Sequence, residues 1–110
     1  MKYISFGKRE NVSIIGLGGL HFGVFLDEKE TESLIFYAKD NGINFLDTSP
    51  IYGSGNSESI IGKSIKKCRK DFFISTKVGL KKITNKYGKF GVEVYPLTKK
   101  NIINSANNSL

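Results

Sequence analysis

The chain has 110 residues, of which 39% are hydrophobic and 25% charged, and it carries a net charge of +7. That length suits one domain and that balance suits a folded chain, which excludes a disordered tail. No apolar run nears the roughly 18 residues of a membrane span, the N-terminus lacks the long apolar core of a secretory signal, and a single cysteine, Cys68, excludes an internal disulfide or a cysteine-rich metal cluster. A reducing cytoplasm suits such a chain, and neither a metal nor a membrane is expected as a partner.

Taken in order, the chain opens with a predicted β-hairpin. Tyr3, Ile4 and Phe6 precede a turn over Gly7–Asn11, and Val12, Ile14 and Ile15 follow. Gly16-Leu17-Gly18-Gly19 closes a buried strand or begins its loop. Asp27 caps the first helix, with Glu30 at capping-box spacing. Thr31, Leu34, Ile35 and Ala38 repeat at i, i+3, i+4 and i+7, which marks a buried face, and Gly42 suits a helix stop.

Ile43–Asp47 is the next predicted strand, followed by a loop to about Gly55 broken by Pro50, Gly53 and Gly55. Asn56 or Ser57 caps a second helix whose inner face carries Ile61, Ser64, Ile65 and Cys68. Phe72–Lys77 is a further strand. These strands are apolar at consecutive positions, as parallel strands buried on both sides require. Val78–Leu97 reads as a long loop without periodicity, the kind usually found to be functional or mobile. Thr98 caps a third helix carrying Ile102, Ile103, Ala106 and Leu110, and the chain ends without a stop signal, as expected of a truncated domain. Strands alternating with helices predict a parallel α/β fold, for which a doubly wound sheet and a (β/α)8 barrel compete.

The positive charge gathers in Lys63, Lys66, Lys67, Arg69 and Lys70, at the end of the second helix, and in Lys81, Lys82, Lys86 and Lys89. Cations favour the negative end of a helix dipole, and no stacking aromatics are interleaved with them. Solvated faces are expected here rather than a nucleic-acid site. A basic surface would also suit an anionic dinucleotide.

The glycine stretch does not make a Rossmann fingerprint. A G-x-G-x-x-G register from Gly16 meets His21 where the third glycine is required, and one from Gly18 meets Leu20 at the second. The strand ends are more informative. Asp47 ends one predicted strand, Tyr52 lies in the loop after it, and Lys77 ends the next. In a parallel α/β fold the C-terminal strand ends share the side where ligands bind. A phenol normally titrates near 10, a neighbouring ammonium favours its phenolate, and a carboxylate keeps that ammonium charged and oriented. Such a phenol could protonate a carbonyl oxygen as hydride reaches the carbon. Residue type and position alone favour the structural alternatives: a turn-stabilising Asp47, a packed loop Tyr52 and a surface Lys77.

Gly42-Ile43-Asn44-Phe45-Leu46-Asp47-Thr48-Ser49-Pro50-Ile51-Tyr52-Gly53 resembles the aldo-keto reductase motif G-[IV]-N-x-[IF]-D-T-[AS]-x-x-Y-G. Gly55–Lys63 resembles that family's G-x-S-E-x-x-[IL]-G-x, Ser75-Thr76-Lys77-Val78-Gly79 its [ST]-T-K-x-G, and Pro96-Leu97-Thr98 with Ser105 and Ser109-Leu110 the start of its third helix. The motifs fall in one register over nearly the whole chain. The resemblance implies a partial (β/α)8 TIM barrel, comprising the N-terminal β-hairpin and the first three βα units. It makes residues 1–110 the N-terminal part of a single barrel domain, truncated in or after the third helix. A closed barrel takes about 250 residues.

For function, the resemblance implies an NAD(P)H-dependent oxidoreductase acting on small-molecule aldehydes, ketones or alcohols. It makes Tyr52 the general acid, with Lys77 and Asp47 as its tuning pair. Gly18, Gly19 and Asp47 would lie near the nicotinamide of NADP(H) or NAD(H), in a binding site that this chain leaves incomplete. Where the family carries Thr or another polar residue, this sequence has Gly19. The family's catalytic His ends a fourth strand that falls beyond residue 110. His21 does not match it and is expected at a pocket rim or in a structural role. The 110-residue chain alone is expected to be inactive. The alternative is a non-catalytic truncated product or interaction piece of the same fold, self-associating through unpaired strand edges.

Overall fold

The computed structural model describes residues 1–84 and 88–109. Lys86 and Leu110, included in the sequence reading, lie outside them.

The N-terminal hairpin pairs β1 (Tyr3–Phe6) with β2 (Arg9–Ser13) through a turn of only two residues, Gly7 and Lys8. The expected five-residue turn is therefore too long. Gly7 adopts φ +60, a conformation a glycine reaches without a Cβ penalty, and this closes the turn early. Asn44 ties the hairpin to the rest of the chain. Its Oδ1 accepts the Ser13 N–H at 2.8 Å and its Nδ2 donates to the Asn11 carbonyl at 2.8 Å.

Three short strands, β3 (Gly16–Gly18), β4 (Phe45–Asp47) and β5 (Phe73–Ser75), form a parallel sheet in sequential order. α1 (Glu28–Asp40) crosses from β3 to β4, and α2 (Ser57–Ser64) from β4 to β5. The Asp27 carboxylate accepts the Glu30 N–H at 2.8 Å while Glu30 accepts the Asp27 N–H at 2.9 Å, so the expected capping box is complete. Gly42 takes φ +83 just past the helix end. Thr31, Ile35 and Ala38 are buried as the periodicity requires.

The core joins Ile35, Ile61 and Ile65 of the helical layer to Phe22, Leu46 and Phe72, with Leu17 and Ile74 packed against it. Phe45 and Phe73 project from the opposite face of the sheet. Phe6 packs against Phe73 at 5.2 Å between ring centroids and against Phe45 at 6.4 Å. The hairpin thus covers that face from below, in the position of a barrel floor.

α2 ends at Ser64, one turn before the expected end at Cys68. Of the basic group assigned to its end, only Lys63 lies in the last turn. The rest sit on the descent into β5. Val78–Leu97 is not a structureless loop. It contains the antiparallel pair β6 (Leu80–Thr84) and β7 (Phe90–Val94). Alternation at Phe90, Val92 and Val94 is a strand signal, hidden in the sequence by the lysines and glycines around it. Thr98 caps α3 (Lys99–Asn108) as expected, accepting the Asn101 N–H at 3.2 Å. Its apolar residues Ile102 and Ile103 are 43% and 49% exposed. Among the described residues only three parallel strands are present for the helices to cover, and α3 has no fourth strand to lie against.

Candidate functional site

Gly18, Asp47 and Ser75 are register partners at the C-terminal ends of the three parallel strands. Along each strand residues alternate faces, so Asp47 lies on the side of Phe45, away from the helices. The chain leaves β4 through a tight turn held from both neighbours. The Gly19 N–H donates to the Asp47 carbonyl at 2.8 Å, and the Thr48 N–H donates to the Ser75 carbonyl at 2.8 Å. Thr48 Oγ1 and Ser57 Oγ, both buried, meet at 2.8 Å and pin this turn to the start of α2.

Tyr52 follows on a turn whose backbone is left-handed at Gly53 (φ 59, ψ 36) and Ser54 (φ 53, ψ 33). The Gly53 N–H donates to the Leu20 carbonyl at 3.2 Å, docking the turn on the loop after β3. A Cβ on Gly53 would collide with the Phe22 carbonyl oxygen. The glycine after Tyr52 is thus required twice, for its φ and for the contact.

Lys77 brings the strand tips together. Its Nζ donates to Asp47 Oδ2 at 2.8 Å and to the Thr48 carbonyl at 2.9 Å, and it stands 4.6 Å from the centroid of the Tyr52 ring. The three residues singled out in the sequence therefore meet. Their geometry is an ammonium held between a carboxylate and a phenol. Partial burial works against the charged ammonium, but hydrogen bonding to Asp47 and Tyr52 outweighs it, so Lys77 titrates above its ordinary 10.5. It remains a full cation at neutral pH. The Asp47 and Lys77 side chains are 40% and 43% exposed, so the cluster is open to a ligand from outside.

The two glycines differ. A side chain at Gly18 would meet nothing within 4 Å, so the strand tip beside Asp47 is open there. Gly19 is buried, and a Cβ there would come within 2.6 Å of Ser57 Oγ and 3.2 Å of the Phe22 ring. Its lack of a side chain has an internal packing reason. His21 is exposed and stacks edge-on to Phe25 at 5.0 Å, at the loop rim rather than in the cluster. The sequence reading missed Thr48 and Ser57 as a buried pair, and Leu20 and Phe22 as the seat of the Tyr52 turn. Thr48 and Ser57 stand inside the quoted motifs, and Leu20 and Phe22 carry no signal there.

Among the described residues no group of three His, Cys, Asp or Glu side chains could hold a metal, and no helix is long and apolar enough to cross a membrane. Part of the positive charge is paired within the fold: Lys39 with Asp71 at 2.7 Å, Lys63 with Glu28 at 3.1 Å and Lys81 with Glu93 at 3.1 Å.

Parallel βα units, a hairpin across the floor and ionisable groups at the strand tips define the first portion of a (β/α)8 barrel. The family model "Aldo/keto reductase family" matches residues 14–110, and the chain belongs to that family. An aldo-keto reductase from Bacillus halodurans, solved in its holo form, superposes with a TM-score of 0.79 at 32% identity, over 100% of this chain and 35% of that one. One from Klebsiella pneumoniae in complex with NADPH superposes with a TM-score of 0.70 at 26% identity, over 99% and 34%. A probable voltage-gated potassium channel subunit beta of Arabidopsis thaliana is 37% identical over 83 residues, which are 71% of this chain and 25% of that protein. The chain thus spans about a quarter of the length of such curated relatives.

Proposed function

We propose that residues 1–110 form the N-terminal part of one barrel domain, which contributes the proton-donating side of an NAD(P)H-dependent carbonyl reductase. The reaction is reduction of an aldehyde or ketone to an alcohol, or its reverse. The observation that carries this reading is the Lys77 ammonium, bonded to Asp47 at 2.8 Å and set 4.6 Å from the Tyr52 ring centroid.

In this reading Tyr52 is the general acid and gives its proton to the carbonyl oxygen. Lys77 stabilises the phenolate left behind, and Asp47 keeps Lys77 charged and aimed. A bound nicotinamide supplies the hydride. Gly18, with its open flank, and the Gly19 backbone border the space beside Asp47 that the ring would enter. The Klebsiella complex supports NADP(H) as the cofactor, with NAD(H) as the alternative. Residues outside this chain complete the binding site, so the 110 residues alone are inactive. The lone thiol at Cys68 suits a reducing cytoplasm.

The test is a barrel completed by joining residues 1–110 to the later strands of the Bacillus halodurans relative. Tyr52→Phe is expected to lower carbonyl reduction by about 10²–10⁴-fold while NADPH binding, followed by fluorescence, is retained. Undiminished turnover would remove Tyr52 as the acid.

A second reading is favoured by the likeness to a channel subunit. Here the same fold serves as an interaction piece. The unpaired edges of β3 and β5 and the exposed apolar side of α3 then drive self-association of the chain.

A further inference from the structure

Asp47 and Lys77 sit at neighbouring strand exits, and the residue beside each turns the other way. Lys77 reaches Asp47 on one side of the sheet, while Thr76 reaches α2 on the other. Thr48, next to Asp47, also reaches α2. Consecutive residues in the first turn of α2 hold both threonines. Ser57 Oγ meets Thr48 Oγ1 at 2.8 Å, and a Glu58 carboxylate oxygen accepts the Thr76 hydroxyl at 2.6 Å across 18 positions of sequence. One helix turn thus grips the two strand exits that carry the carboxylate and the ammonium.

α2 forgoes local stability to do so. α1 uses Asp27 and Glu30 for its own capping box. The N-cap of α2, Asn56, makes no side-chain capping bond, and the polar side chains that follow it are committed to the sheet instead. Such a conflict between local preference and fold is expected where function sets the residue. A carboxylate in a first helical turn favours the dipole wherever its side chain points, so the dipole does not account for the bond to Thr76. That bond is a charge-assisted O–H···O contact, among the stronger kinds. Thr76 directly precedes Lys77, whose Nζ has narrow targets: Asp47 Oδ2 at 2.8 Å and the Thr48 carbonyl at 2.9 Å. Releasing Thr76 frees the backbone from which that ammonium is aimed.

We propose that Glu58 is a positioning residue for Lys77: by holding Thr76 it keeps the ammonium between Asp47 and the Tyr52 ring. Its consequence for turnover rests on the reductase reading, but the placement of Lys77 is measurable without turnover.

The completed barrel, labelled with carbon-13 at lysine Cε, reports that placement by NMR pH titration, with Lys77→Met identifying the signal. Partial burial opposes the Lys77 ammonium but hydrogen bonds to Asp47 and Tyr52 outweigh it, so its midpoint lies above 10.5. In Glu58→Ala the midpoint should fall back toward its ordinary value, and kcat for carbonyl reduction should drop about three- to tenfold, the range of one net hydrogen bond. Thr76→Val, at an exposed position, breaks the same bond from the other end and should give the same shift. Glu58→Gln, whose carboxamide oxygen still accepts a hydroxyl proton, should keep the parent midpoint. A glutamate that serves only the fold would lower the melting temperature of Glu58→Ala and leave the Lys77 midpoint in place. That result, or a Glu58→Gln variant that behaves like Glu58→Ala, would overturn the proposal. Full turnover in Tyr52→Phe beside a moved Lys77 midpoint in Glu58→Ala would remove the acid and leave the positioning standing.

Discussion

Gly53 and Ser54 are neighbours in the same left-handed conformation, and exchanging their residue types should move stability in opposite directions. Gly53→Ala puts a Cβ at φ 59, which costs about 1–2 kcal/mol by itself. That Cβ also collides with the Phe22 carbonyl. Phe22 is 1% exposed and belongs to the core, so its backbone does not yield cheaply. The combined cost should exceed about 2 kcal/mol, within the range of severe single substitutions. Ser54→Gly relieves about 1–2 kcal/mol of the same strain, against about 0.4–1 kcal/mol lost to the freer unfolded chain. The net expectation is a small gain of about 0.5 kcal/mol. Urea unfolding of the completed barrel reads both, as a shift in midpoint at constant slope. Gly53→Ala should also cut turnover, because the turn that moves is the one carrying Tyr52. A Gly53→Ala variant within about 0.5 kcal/mol of the parent, the usual range for a neutral surface change, would refute the steric reasoning. So would a Ser54→Gly variant that loses stability by more than about 1 kcal/mol.

Two further outcomes follow from the packing. Thr48→Val or Ser57→Ala should each cost about 1–3 kcal/mol by leaving a buried hydroxyl without its partner, and the double variant should cost less than the two added together; strictly additive losses in denaturant melts would show the pair to be uncoupled. The 110-residue chain on its own should sediment as oligomers at micromolar concentration, and a sharp, cooperative melt of a monomer would contradict this.

What the sequence made legible depended on how local the physics was. The capping box at Asp27 and Glu30 needs only residues within one turn, and α1 begins where it predicts. The convergence of Asp47, Tyr52 and Lys77 follows from parallel strand ends sharing one side, so a coarse element order was enough to foresee it. The end of α2, the β6–β7 pair and the outward turn of α3 depend on tertiary partners instead. The three-residue strand signal of β7 pairs with a strand rich in lysine, and Ile102 and Ile103 of α3 have no strand to cover among the described residues. Asn44 looked like a motif letter, and its work in joining the hairpin to β4 emerges only from its contacts with Asn11 and Ser13.

A double-substitution cycle on the completed barrel probes the proposed chemistry at its centre: Tyr52→Phe, Lys77→Met and both together, compared by kcat/KM for carbonyl reduction. If the ammonium acts through the phenol, removing the second group after the first adds little, as for residues that work as a unit. The account predicts a double variant within about threefold of Tyr52→Phe alone, a difference under the roughly 1.4 kcal/mol that makes a factor of ten. Losses that multiply in full would mean that Lys77 and Tyr52 act independently, and the tuning of the phenol by the ammonium would fall.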